Sequence, residues 1–236
     1  AITNNRMLRV AGTCVFVNGL DSNVIRGNYF YNTWDQIAVL VNSHYNIVEN
    51  NVFDSMGYYC LGLTNSYNTT RSNRFTNSTR AIYLSAAANS VYQNQFDGIS
   101  DSIIEGGSNL ATCVIERNTI LSPAGIYNSN AAALPLLRNW WNTTDSTAIF
   151  ARMSGETSYI TYMPFRLGPV DTTLGADTVA PAAPTGLTVL SVGADTMRLS
   201  WTAPTTDENG DALADLAGYH LYRSRSSDTS DWGAPT

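Results

Sequence analysis

The stretch Asn46-Ile47-Val48-Glu49-Asn50-Asn51-Val52-Phe53 repeats the pattern of Asn23-Val24-Ile25-Arg26-Gly27-Asn28-Tyr29-Phe30, 23 residues earlier. Working outward from it, an asparagine recurs at Asn5, Asn28, Asn51, Asn73, Asn94, Asn118 and Asn139, with spacings of 23, 23, 22, 21, 24 and 21. Two residues after each stands a large apolar side chain: Met7, Phe30, Phe53, Phe75, Phe96, Ile120 and Trp141. Three residues before runs a further column, Ile25, Val48, Thr70, Val91, Ile115 and Leu136. A period of roughly 20–50 residues marks a solenoid, and several columns held in one register make chance an inadequate explanation.

Alternation within the period points to strands. Counting nine residues on from the asparagine gives Cys14, Ile37, Cys60, Ile82 and Ile103, and two further Phe16, Val39, Gly62, Leu84 and Glu105. Apolar residues at one parity, bounded by turns such as Asn42-Ser43-His44 and Asn65-Ser66-Tyr67, read as short strands. Helical repeats of about 34 residues and propeller blades of about 40 are both too long for this period. The expected architecture is all-β: a parallel β-helix of about seven coils, in which equivalent residues stack at the ~4.8 Å interstrand spacing. The asparagines are expected at an inward-turned corner with left-handed backbone, their amides bonding along the column, with Phe30, Phe53, Phe75 and Phe96 stacked beside them.

The quoted segments resemble the repeats of right-handed parallel β-helix proteins of the pectate-lyase-like group, many of them extracellular carbohydrate-active or surface proteins. The run Asn139-Trp140-Trp141-Asn142-Thr143-Thr144-Asp145 and the segment Tyr159-Ile160-Thr161-Tyr162-Met163-Pro164-Phe165 are similar to the closing segment of such solenoids. The expected organisation is a β-helix over 1–141, a closing segment over 142–167 and a linker over 168–180. The last stretch, 181–236, carries Pro181, Pro184, Trp201 and Tyr219-His220-Leu221-Tyr222 and resembles the opening strands of a fibronectin type III sandwich. A chain that opens inside the repeat is expected to be a mature or excised piece of a larger secreted protein.

Composition narrows the function. The chain carries 13 basic residues, all arginine, against 19 acidic ones, for a formal charge of −6. Without a basic cluster, nucleic acid is not an expected partner, and no apolar run is long enough for membrane insertion. Cys14, Cys60 and Cys113 read as small buried apolar residues. Two histidines, His44 and His220, give no metal site and no catalytic triad, and no cofactor is expected.

Candidate chemistry lies on the outer faces. Arg26, Glu49, Arg71, Tyr92 and Glu116 occupy one column and suggest an alternating charge ladder; the resemblance implies that an arginine on such a face, Arg26 or Arg71, could act as a base against an acidic sugar. Asp54 and Asp97 share a column two coils apart, about 10 Å, near the ~6.5–9.5 Å separation of inverting glycosidase carboxylates. Glu105 falls in an apolar column, where burial makes a general acid, though Gly106-Gly107 favour a bulge that turns it outward. Arg80 and Asp101 read as an adjacent-coil pair. Tyr29, Trp34, Tyr58, Tyr59, Tyr92 and Trp140 are aromatic candidates for stacking on sugar rings.

These features favour a non-catalytic extracellular or cell-surface scaffold that contacts a polysaccharide or cell-surface glycan. One alternative is a polysaccharide lyase or glycoside hydrolase. The other is a self-assembling filament or sheath subunit joined through open ends.

Overall fold

The computed structural model describes residues 1–34, 36–108, 110–170, 181–193 and 196–206, with Leu213, Leu216, Gly218, Tyr219 and Leu221. They fall in two compact units, Ala1–Leu174 and Gly175–Thr236.

The first unit is a parallel β-helix whose coils visit three sheets in turn. Sheet 1 holds Ile2–Thr3, Val24–Arg26, Ile47–Glu49, Thr69–Arg71, Ser90–Tyr92 and Val114–Glu116. Sheet 2 holds Arg6–Leu8, Tyr29–Tyr31, Val52–Asp54, Arg74–Thr76, Gln95–Asp97 and Thr119–Ile120. Sheet 3 holds Val15–Asn18, Val39–Asn42, Tyr59–Leu63, Arg80–Leu84, Ser102–Gly106, Gly125–Asn128 and Met153–Gly155. Every strand pairs in parallel with its equivalents in the coils before and after, so each column of the sequence becomes a ladder.

The asparagine column lies inside the corner between sheets 1 and 2. From Asn28 to Asn139 its members are buried, whereas Asn5 is exposed. Each Oδ1 accepts both the backbone N–H and the amide of the asparagine one coil back; Asn73 does so for Asn51 at 2.9 and 3.0 Å. Each amide also donates to backbone, as Asn73 Nδ2 does to Val48 O at 2.8 Å. The left-handed residue, however, is not the asparagine, as expected, but the one before it: Asn4, Gly27, Asn50, Ser72, Gln93, Arg117 and Arg138, with φ between 53° and 66°. The turn is made there, and the asparagine side chain then caps the orphaned corner amide.

A second asparagine ladder closes the corner between sheets 3 and 1. Asn23, Asn46, Asn68 and Asn89 bond in the same manner, with Asn46 Oδ1 accepting Asn23 N–H at 2.9 Å and Asn68 Oδ1 accepting Asn46 N–H at 2.9 Å. Its left-handed residues are Ser22, Tyr45, Tyr67 and Ala88.

Phe30, Phe53, Phe75 and Phe96 are fully buried, with centroids 4.8, 4.9 and 5.0 Å apart and planes within 12°. Beside them Thr70 sits between Val48 and Val91 in an otherwise apolar column, its buried Oγ1 without a partner. Thr70→Val keeps the shape and removes an unsatisfied hydroxyl, so a gain of about 1 kcal/mol is expected, readable as a higher denaturant midpoint at unchanged slope.

Sheet 3 departs from the columns obtained by counting. Val15 pairs with Val39, Leu61 with Ile82, and Ile82 with Ile104, so Val39 does not share a column with Phe16, nor Leu84 with Glu105. The step from ladder asparagine to the inward sheet 3 residue is 10, 11, 10, 9, 10 and 8 residues, from Asn5–Val15 through Asn118–Ile126. A turn of varying length flips side-chain parity whenever it changes by one. Cys14 accordingly donates its N–H to Ala38 O rather than lying over Ile37. All three cysteines are free; Cys60 and Cys113 are buried, whereas Cys14 is half-buried, and burial pushes the Cys60 thiol up to about 12.

At the far end, Leu134–Pro135 pairs with Ile160–Thr161, and Trp141 and Ile149 of the helix Ser146–Phe150 are buried. Val170 is buried as well, its N–H on Thr119 Oγ1 at 2.9 Å, so the chain still packs on the solenoid three residues into the stretch expected as linker.

In the second unit, Thr185–Gly193 and Thr196–Thr202 form an antiparallel hairpin, and Trp201 packs edge-on to Tyr219 at 5.0 Å. His220 and Tyr222 lie outside the described residues.

Candidate functional site

Outward-facing residues of the three sheets carry the candidate chemistry, and the ladder geometry determines what each one touches. On sheet 1, Arg26, Glu49, Arg71 and Tyr92 stand in register. Glu49 is only 3% exposed, and Arg26 and Arg71 grip it from both sides, Arg71 Nε at 2.7 Å. Arg71 also donates to Tyr92 Oη at 3.3 Å. Burial raises the Glu49 pKa, but the two guanidinium bonds outweigh it and hold the carboxyl below its usual range. Hydrogen bonding to Glu49 raises the pKa of Arg71, so the guanidinium keeps its proton and is a poor base.

On sheet 2, Tyr31, Asp54, Thr76 and Asp97 form the column expected, with Thr76 separating the two aspartates. Asp54 accepts from Tyr29 Oη at 2.9 Å, Ser55 Oγ at 3.0 Å and Asn77 Nδ2 at 3.1 Å. Desolvation opposes its ionisation, yet these donors win and depress its pKa. A carboxyl held ionised by three donors is not a general acid. Asp97 faces Arg74 Nη2 at 4.0 Å.

On sheet 3, Glu105 points outward beside Tyr83 and Tyr127. Its outward direction follows from the true register. The irregularity lies upstream, between Ser102 and Ile104, where the strand meets Gly125–Asn128. Glu105 accepts the hydroxyl of Tyr59, whose pKa is raised first by burial and then by that bond. Arg80 pairs with Asp101 at 2.5 Å and lies over the rings of Tyr58 and Tyr59.

The aromatic candidates divide by exposure. Trp34 is 63% exposed and Tyr58 40%, whereas Tyr29, Tyr92 and Trp140 are half-buried and Tyr59 is buried. Reading by columns misses Tyr45 and Tyr67, both exposed and stacked at 5.2 Å, because they sit in the turn before the second asparagine ladder. His44 stands beside Asp21 at that corner, at 3.5 Å. Among the described residues no three His, Cys, Asp or Glu side chains gather to hold a metal ion, and no helix is long and apolar enough to cross a membrane.

A shallow groove of about 560 Å³ opens where sheet 2 meets its following turn, lined by Arg6, Leu8, Arg9, Tyr29 and Tyr31. Arg6 Cζ lies 5.4 Å from the Tyr29 ring centroid, and the Tyr29 and Tyr31 rings run parallel within 8°, 6.2 Å apart.

Stacked parallel coils with outward-facing polar ladders define a β-solenoid. The family model described as "Right handed beta helix region" matches residues 1–140, and the chain belongs to that family. Comparison with curated proteins and with solved structures returns no match.

The ion pairs imply a direction of pH dependence. Glu49 and Asp54 have depressed folded-state pKa values, so their stabilisation is complete above the unfolded values of about 4.3 and 3.9 and disappears as pH falls through the lower folded values. Thermal midpoints are therefore expected to hold level from about pH 7 to 5 and to drop below about pH 4. Glu49→Gln should flatten that acid limb, and an unchanged limb in the variant would remove Glu49 from the explanation.

Proposed function

We propose that the protein is a non-catalytic extracellular or cell-surface β-helix scaffold whose outer faces contact glycans. The observation that carries this reading is the engagement of the acid–base candidates in bonds to other coils: Glu49 with Arg26 and Arg71, Asp54 with Tyr29 and Asn77, Asp101 with Arg80, Glu105 with Tyr59, while Asp97, facing Arg74 at 4.0 Å, shares its column with the engaged Asp54. A glycosidase needs one carboxyl protonated and one free; a lyase needs a base that can lose its proton. The short period of 21 to 24 residues adds support, since it leaves little chain for loops that wall a cleft. Exposed Trp34, Tyr58, Tyr45 and Tyr67 supply ring faces for sugar C–H surfaces.

The extracellular placement follows the resemblance to the pectate-lyase-like group. The hairpin after residue 181 is the start of a fibronectin type III module, a reading supported by the contact of Trp201 with Tyr219.

Retention on immobilised polysaccharides, acidic and neutral, tests the binding half. Release of reducing or unsaturated ends from the same materials tests the rest. Retention on at least one, with no ends released, is expected. Ends that accumulate with the intact chain would make it an enzyme.

A further inference from the structure

We propose that Arg117, Arg138 and Arg166 form a binding site for a tetrahedral oxyanion with two negative charges, inorganic phosphate or sulfate, which clasps the closing segment onto the last coils. This site is independent of the glycan contacts proposed above. The first observation is local charge. The chain as a whole is acidic, at −6, yet these three arginines have a single carboxylate among them in the described residues, Glu116. Arg117 Nε stands 3.8 Å from Glu116 Oε1 and Arg138 Nη1 3.6 Å from Oε2, both too long for hydrogen bonds. Other pairs on the solenoid are close, with Arg71 Nε 2.7 Å from Glu49 and Arg80 Nε 2.5 Å from Asp101. Three guanidinium charges against one carboxylate leave an excess of two, which a dianion matches. Chloride or acetate would leave one charge unmatched.

The second observation is a buried donor. Arg166 Nε is buried and has no partner among the described residues. Burial, reinforced by the charge of Arg117, pushes the Arg166 pKa down, the direction of a cation short of counter-charge. Native structures satisfy such a group with a protein partner, a water or an ion. Backbone bonds fix the three residues on successive levels: Arg117 N–H donates to Arg138 O at 3.1 Å, Arg138 N–H to Pro164 O at 2.6 Å, and Arg166 N–H to Asn139 O at 3.0 Å. Little ordering of the backbone therefore remains to be done on binding. Arg117 and Arg138 also hold the left-handed corner, at φ 54° and 56°, a position that Gly27 and Asn50 fill at lower cost. Guanidinium forks give the oxygens of a phosphate or sulfate paired, charge-assisted bonds.

The test is thermal unfolding of the whole chain in millimolar sulfate or phosphate, with chloride holding ionic strength constant. Sulfate stabilises proteins in general through exclusion from their surfaces, without saturating, so the readout is the saturable part of the rise. At a hundredfold excess over half-saturation the midpoint should rise by about 5–10 °C with either dianion, and acetate should give no such rise. Arg138→Gln, at an exposed side chain, should raise the half-saturating concentration at least about tenfold, the factor of one lost charge-assisted bond. Arg6→Gln, on the first coil, should leave it unchanged. Arg166→Met keeps the stem and removes the unpaired donor, so it should melt no lower than the parent in chloride and clearly lower in saturating sulfate. Equal losses in both salts would make Arg166 a packing residue and overturn the site. So would a rise that never saturates, or a saturable rise that Arg138→Gln and Arg166→Met both retain.

Discussion

Replacing Asn73 by leucine is expected to destabilise the solenoid by about 4 kcal/mol, the sum of several buried groups left unpaired at ~1–3 kcal/mol each. The substitution strips the acceptor from the Asn51 backbone N–H and amide and removes the donor to Val48 O. Water cannot replace them, because Asn51 and Asn73 are buried. Asn5→Leu is the internal control. Asn5 is exposed, its side chain donates only to Thr3 O and Asn28 Oδ1, and less than about 1 kcal/mol should be lost. Denaturant melts of both variants measure the contrast. Equal losses would mean that the side chain matters as a corner former and not as a link between coils.

Phe75→Ala should cost a similar amount, about 4 kcal/mol, by a different route. Phe75 lies between Phe53 and Phe96 at 4.9 and 5.0 Å and is fully buried, so alanine leaves a cavity that rigid neighbouring coils cannot collapse to fill. Phe75→Leu restores most of the volume and should recover more than half of the loss. Each coil of a solenoid leans chiefly on its neighbours, so either damaging variant is also expected to broaden the unfolding transition as the halves on each side uncouple.

Sheets 1 and 2 were legible from sequence because the corner between them has constant length. One left-handed residue and one asparagine always separate the strands, so counting from the asparagine stays in phase and Arg26, Glu49 and Arg71 meet as the spacing requires. Sheet 3 follows a turn that grows and shrinks, and the same counting mixed outward Phe16 with inward Val39. The second ladder, Asn23, Asn46, Asn68 and Asn89, was present in the sequence at spacings of 23, 22 and 21 but looked like ordinary turn composition. A hydrogen-bonded column and a loop share the same residue types. The Arg6–Tyr31 groove had no sequence signal, since it forms only where side chains of two successive coils meet. Glu49 shows the converse: its place between Arg26 and Arg71 in the column spells a charge ladder, and its burial between the two arginines makes it a rivet between coils.

Hydrogen exchange at the backbone amides of Asn28, Asn51, Asn73, Asn94 and Asn118, with and without an acidic polysaccharide, tests most directly whether the recurrent asparagine holds the coils together or serves a ligand. Each of these amides donates to the Oδ1 of the next ladder asparagine, at 2.9 to 3.0 Å. The expected result is exchange as slow as that of the central strand amides, at the rate of global unfolding and without any sugar present. Rapid exchange at these corners, or protection that appears only when the sugar is added, would contradict it.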